Sequence, residues 1–92
     1  MLETVEQIEN AIADLMIQYQ QELTTMHNRV DFVTEQAEKL LEKKEKELDE
    51  KYKDRTDTEV AEKEYLEEYR HIKSMILEGV EKALKKDSEE FL

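Results

Sequence analysis

Apolar and small residues recur at Val5, Ile8, Ile12, Leu15, Tyr19, Leu23, Met26, Val30, Val33, Ala37 and Leu41, then at Leu48 and Tyr52. The steps alternate between three and four, and at about 100° per residue they trace one stripe along a helix. Neither Pro nor Gly interrupts this run. The pattern predicts one long amphipathic helix over about residues 2–53, roughly 75 Å from end to end. Around Tyr19 two four-residue steps follow one another, which resembles a stutter and would locally relax a left-handed supercoil.

Between Leu41 and Leu48 the stripe lapses into "LEKKEKEL", and Lys44 takes a seam position. A Lys stem can lie along apolar surface with its ammonium in water. The acid-first pairs Glu42–Lys46, Glu47–Lys51 and Asp49–Lys53 each add a few tenths of a kcal/mol to the helix. The break comes at "KYKDRTDTEV", with a turn over about 54–57. Thr56 or Asp57 can cap a helix starting there, and Thr56 with Glu59 has capping-box spacing.

A second helix is expected over about 58–86, with Lys82, Lys85 and Lys86 suiting the negative end of its dipole. Gly79 costs that helix about 1 kcal/mol relative to Ala, which points to a close helix approach. The tail 87–92 is expected to fray. The fold expected is therefore all-α: a single domain over 1–92, built as an uneven antiparallel helical hairpin.

The shorter arm reaches only the distal half of the longer one. Val5, Ile8, Ile12, Leu15 and Tyr19 then lack a partner in their own chain and become the expected self-association surface. The apolar residues of the second helix, from Ala61 and Tyr65 round to Leu66 and Leu77, span about 200°, wider than one neighbour covers. Both features predict a homo-oligomer, most simply a twofold dimer forming a coiled-coil or four-helix-type bundle.

Composition sharpens this picture. Of 92 residues 42% are charged and 38% hydrophobic, with one Gly and no Pro, the usage of long helices. Without Cys there is no disulfide, thiolate site or Cys nucleophile. The start "MLETVEQIEN" has no basic region followed by an apolar run. No stretch approaches the ~18 apolar residues of a membrane span. A cytoplasmic protein without a membrane partner is expected. The net charge of −11 opposes phosphate contacts. Even Lys39–Arg55 holds six acids against seven bases, so direct nucleic-acid binding is not expected.

Candidate chemistry is sparse. "EEYRH" over 67–71 sets Glu68 and His71 at the i, i+3 spacing of carboxylate-bridged di-iron helices, with Glu38 as the nearest further carboxylate. In these few residues the chain resembles two-helix ferritin-like proteins of the encapsulated-ferritin kind. That resemblance implies a metal-binding oxidase using Glu38, Glu68 and His71. Yet His71 falls about 140° from the centre of the apolar arc, away from any core that would shelter a metal. His27, with Glu22 and Asp31 a turn away, is what any acidic helix produces. Thr24 and Thr25 lack an oriented acid and base. No cofactor and no catalytic residue are expected.

Two apolar residues lie off the stripe: Ile17 and Phe32, both expected on the outward side and thus candidates for contacting another protein. Single exposed apolar residues are also ordinary on protein surfaces. The expected function is non-enzymatic: a small acidic helical protein that works by protein–protein interaction, as an adaptor, an assembly factor or a phage- or mobile-element-type inhibitor. Its acid excess suits a basic partner surface. The alternative is a secreted helical hairpin or its chaperone. WXG100 proteins, secreted hairpins of similar length, carry Trp-x-Gly at the bend, where this chain reads "DRTDT".

Overall fold

The computed structural model describes residues 4–91. They form three helices and no strand: α1 Val5–Gln18, α2 Met26–Tyr52 and α3 Thr58–Phe91. The expected single helix over about 2–53 is thus two helices, separated by residues 19–25. Of the expected boundaries, residues 2 and 3 and Leu92 lie outside the described residues.

The break at 19–25 has local support. Thr25 caps α2, its Oγ1 accepting from the Asn28 N–H at 3.0 Å. Asn28 Nδ2 donates to the Glu22 carbonyl at 3.4 Å, and Arg29 Nε donates to that of Leu23 at 3.2 Å. These bonds satisfy carbonyls that a continuous helix would have paired itself. The Leu23 side chain is buried in the core, so the connection also contributes apolar burial. At its other end α1 starts with a reciprocal capping box between Thr4 and Gln7, both bonds 3.1 Å.

Both α1 and α2 pack on α3, while α1 barely touches α2. Ile8 lies against Gly79, and the Tyr19 ring sits 5.6 Å from that of Phe32 on α2. Between α2 and α3 the contacts run from Tyr52–Tyr65 and Lys51–Glu68 near the connecting segment to Arg29–Asp87 at the far end. Ile8, Ile12, Ala13 and Met16 of α1 join Leu23, Val33, Ile76 and Ala83 in one buried cluster. The core therefore lies in the half of the molecule that contains α1.

This arrangement corrects the argument for the N-terminal stripe. With α1 folded onto α3, Ile8 and Ile12 are buried within the chain, and Val5 and Leu15 are half-buried. Tyr19 alone of the five stays exposed. The stripe has its partner in α3. Phe32, expected outward, is half-buried against the core, because the fold-back brings the Tyr19 ring over it.

The second helix is longer than expected, running to Phe91 instead of ending near 86. Within the expected tail, Asp87 is buried and sits 3.4 Å from Arg29 Nε. Lys44 lies as its seam position implies, its side chain largely covered and 3.3 Å from Glu47. Of the three local pairs, Glu42–Lys46 forms at 3.5 Å. Lys51 instead reaches Glu68, Lys53 takes Glu50, and Asp49 accepts from Tyr65.

Candidate functional site

The residues resembling a di-iron set do not converge. Among the described residues, no group of three or more His, Asp or Glu side chains is placed to hold a metal. Glu68 accepts from Lys51 at 2.6 Å, which ties it to α2 as half of an ion pair. His71 is exposed on α3, beside a shallow depression of about 370 Å³ that it lines with Glu67, Glu68 and Ile72. Glu38 is exposed on α2. His27 pairs with Asp31 at 3.1 Å on the surface.

The polar groups of the α2–α3 seam have structural partners. The Tyr65 hydroxyl donates to Asp49 at 2.9 Å, and this bond raises its pKa. Tyr69 is raised by the equivalent bond to Glu45. The Lys51 pKa is raised by its bond to Glu68. At the connection, Arg55 grips Asp57 through two bonds of 2.8 and 2.6 Å and reaches Glu64 at 3.0 Å. The Arg55 guanidinium holds the Asp57 carboxyl at about 2, with help from the backbone N–H of Asp57. The Tyr65–Asp49, Tyr69–Glu45 and Lys51–Glu68 rungs join α2 to α3, and Arg55 ties the connection to α3 through Glu64. None pairs a nucleophile with a base.

Beside the connection lies an open groove of about 430 Å³, walled by Tyr52, Ala61, Tyr65 and Leu66 with Arg55 and Glu62 at its rim. Its lining is mostly apolar, and it offers no convergent donors that would orient a small substrate.

Apart from Val60 near the start of α3, the exposed large apolar residues fall into two regions. At the end where α1 meets α2, Ile17 is 49% exposed and Met26 58%, with Tyr19 also exposed. Residues 1–28, which carry them, contain no Lys or Arg, and Arg29 is turned inward to Asp87, while Lys82, Lys85 and Lys86 of α3 line a depression beside Glu9 of α1. The second region lies on α2 and α3 away from α1. Leu77 is 52% exposed and Leu66 45%, with Val30 exposed on the neighbouring helix. Sequence reasoning had Leu66 and Leu77 in the over-wide arc of this helix. It did not separate them from the residues facing α1, because the position of α1 was not legible.

No helix among the described residues is long and apolar enough to cross a membrane. Comparison with family models, with curated proteins and with solved structures finds no match.

Proposed function

We propose that this chain is a non-enzymatic cytoplasmic protein that binds another protein, in the manner of an adaptor, an assembly factor or a small inhibitor. The observation that carries this reading is a group of exposed apolar residues on an acidic segment. There, Ile17, Tyr19 and Met26 stand exposed amid a segment with no Lys or Arg before Arg29. Apolar anchors give affinity when a partner dehydrates them, and an acid excess steers a partner of opposite charge. A basic, partly apolar protein surface fits both.

In this reading α2 and α3 are the two arms of an antiparallel hairpin, α1 is its buttress, and self-association completes a helical bundle. The test uses the whole chain as bait in lysate of the source organism, at moderate salt, beside Ile17→Asp and Met26→Asp baits. The reading expects a basic protein retained by the wild type and lost from both variants. An identical set of proteins on all three baits would remove this end of the molecule as the binding surface.

A further inference from the structure

We propose that α1 can leave its own α3 and dock on the α3 of a second copy, residues 19–25 straightening so that α1 and α2 become one helix. This rests on the reading of the chain as self-associating and names the element that two copies exchange.

α1 packs on α3 and hardly on α2, so the segment 19–25 is what ties it to its own chain. That segment contains neither Gly nor Pro. Its shape is held by the Thr25 cap on Asn28, by Asn28 Nδ2 on the Glu22 carbonyl and by Arg29 Nε on the Leu23 carbonyl. A continuous helix pairs those same carbonyls through its own backbone, so straightening strands none of them. The connection over 53–57 is different. There Arg55 holds both Asp57 and Glu64, which keeps α2 and α3 folded on each other.

On one straight helix Ile12, Leu15, Tyr19, Met26, Val30 and Val33 fall within an arc of about 60°. The break divides this stripe. Ile12 and Val33, at its two ends, are buried in the core, while Tyr19, Met26 and Val30 between them are exposed. Straightening makes the stripe continuous. The two straightened segments then meet at the twofold axis relating the copies, where each gives the other's Tyr19 and Met26 a neighbour.

Length requires the second copy. Arg29 meets Asp87 close to the end of α3 at Phe91, so a straight α1 lies past the end of its own α3. Ile8, Ile12 and Met16 can then be buried only on another α3. A second copy offers the surface already shaped for them, with Gly79 open to Ile8. The α1–α3 contacts are the same in both forms. The forms differ at residues 19–25 and in the entropy of association, which rising concentration offsets.

Because the chain has no Cys, an added cysteine pair reports which copy supplies α1. A Cβ at residue 79 would stand 2.8 Å from Ile8 Cβ, about 1 Å inside the spacing of a disulfide. Ile8→Cys/Gly79→Cys is therefore the first pair. Glu9→Cys/Lys82→Cys, at positions that line one depression, is the second, joined by a short bismaleimide. Each is refolded from urea at hundreds of micromolar, checked by circular dichroism, sized by sedimentation, then cross-linked and run on a denaturing gel. Exchange predicts a dimer whose two chains are joined to each other, and internal cross-links after dilute refolding. Thr24→Ala/Thr25→Ala removes the cap and favours a continuous helix, so it should lower the dissociation constant about tenfold or more. Thr24 lies outside both helices of the closed chain. Thr24→Pro should raise the constant about a hundredfold or more, because Pro breaks the straightened helix. A dimer whose cross-links stay within each chain would overturn exchange and leave self-association standing. A chain monomeric at every concentration would overturn both. A dimer indifferent to Thr24→Pro would overturn the straightening.

Discussion

The Ile8 side chain occupies the space that a Cβ on residue 79 would fill. A methyl built there would stand 2.8 Å from Ile8 Cβ and 3.4 Å from the Glu9 backbone nitrogen. Ile8 Cβ is fixed to the α1 backbone and cannot rotate away, so α1 itself would have to move. Gly79→Ala should gain about 1 kcal/mol of helix propensity and lose about 1–3 kcal/mol to overpacking. The expected outcome is a less stable protein by urea denaturation. Ile8→Ala alone should cost about 2–5 kcal/mol. The double variant should cost less than the sum, because the Ile8 Cγ2 clash is gone while the Cβ contact persists.

Arg29 and Asp87 link the start of α2 to the far end of α3. Their side chains are 13% and 6% exposed, and Arg29 Nε also donates to the Leu23 carbonyl. Removing one partner of a buried pair leaves the other charge desolvated. Asp87→Ala should therefore cost about 3–5 kcal/mol, whereas Arg29→Met with Asp87→Leu should recover most of the loss. Thermal melts of the wild type and the two variants check this. A neutral Asp87→Ala would show that the end of α3 contributes little, as a frayed tail would.

The all-helical class was legible because three–four spacing runs through both the first 52 residues and the second helix. The close approach at Gly79 and the seam position of Lys44 could be read as well. The break at 19–25 could not. "YQQELTT" has no Gly or Pro, and Thr25 with Asn28 lacks the acid or Gln that completes a capping box. The double four-step at Tyr19 did not mark it either, because the same step at Ala37 lies inside the unbroken α2. What stabilises the break is tertiary: folding α1 back buries Ile8, Ile12 and Met16 on α3. Periodicity cannot see that, because the same stripe serves one long helix or two packed ones. Candidate residues divided along the same line. Ile17 is exposed as its wheel position implied, while Phe32 depended on where α1 lay.

The connection between α2 and α3 carries a strongly displaced carboxyl. Arg55 holds Asp57 at about 2, below its ordinary 3.8. A depressed folded pKa stabilises above the unfolded value, and that stabilisation is lost as pH falls from about 4 towards 2. Carbon-detected NMR titration should give Asp57 a midpoint near 2, returning towards the ordinary range of about 3.9 in Arg55→Ala. The energetic effect should be small, because exposed ion pairs are weak and screened by salt. An unchanged midpoint in Arg55→Ala would assign the shift to the backbone bond instead.

Ile12→Asp separates the two uses the N-terminal stripe could have. Ile12 is 3% exposed, inside the cluster that joins α1 to α3. A carboxylate there would be buried without a designed partner, which is costly enough to expel the segment. Once undocked, α1 has only 14 residues, close to the ~12–15 below which isolated helices are marginal in water. The variant should therefore lose α1 as a helix whatever its oligomeric state. Hydrogen exchange should show amides of 5–18 exchanging far faster than in the wild type, while those around Leu48 and Ala61, where α2 meets α3 away from α1, keep more of their protection. A variant that loses only a second copy, with 5–18 still protected, would instead place the stripe at an interface between chains.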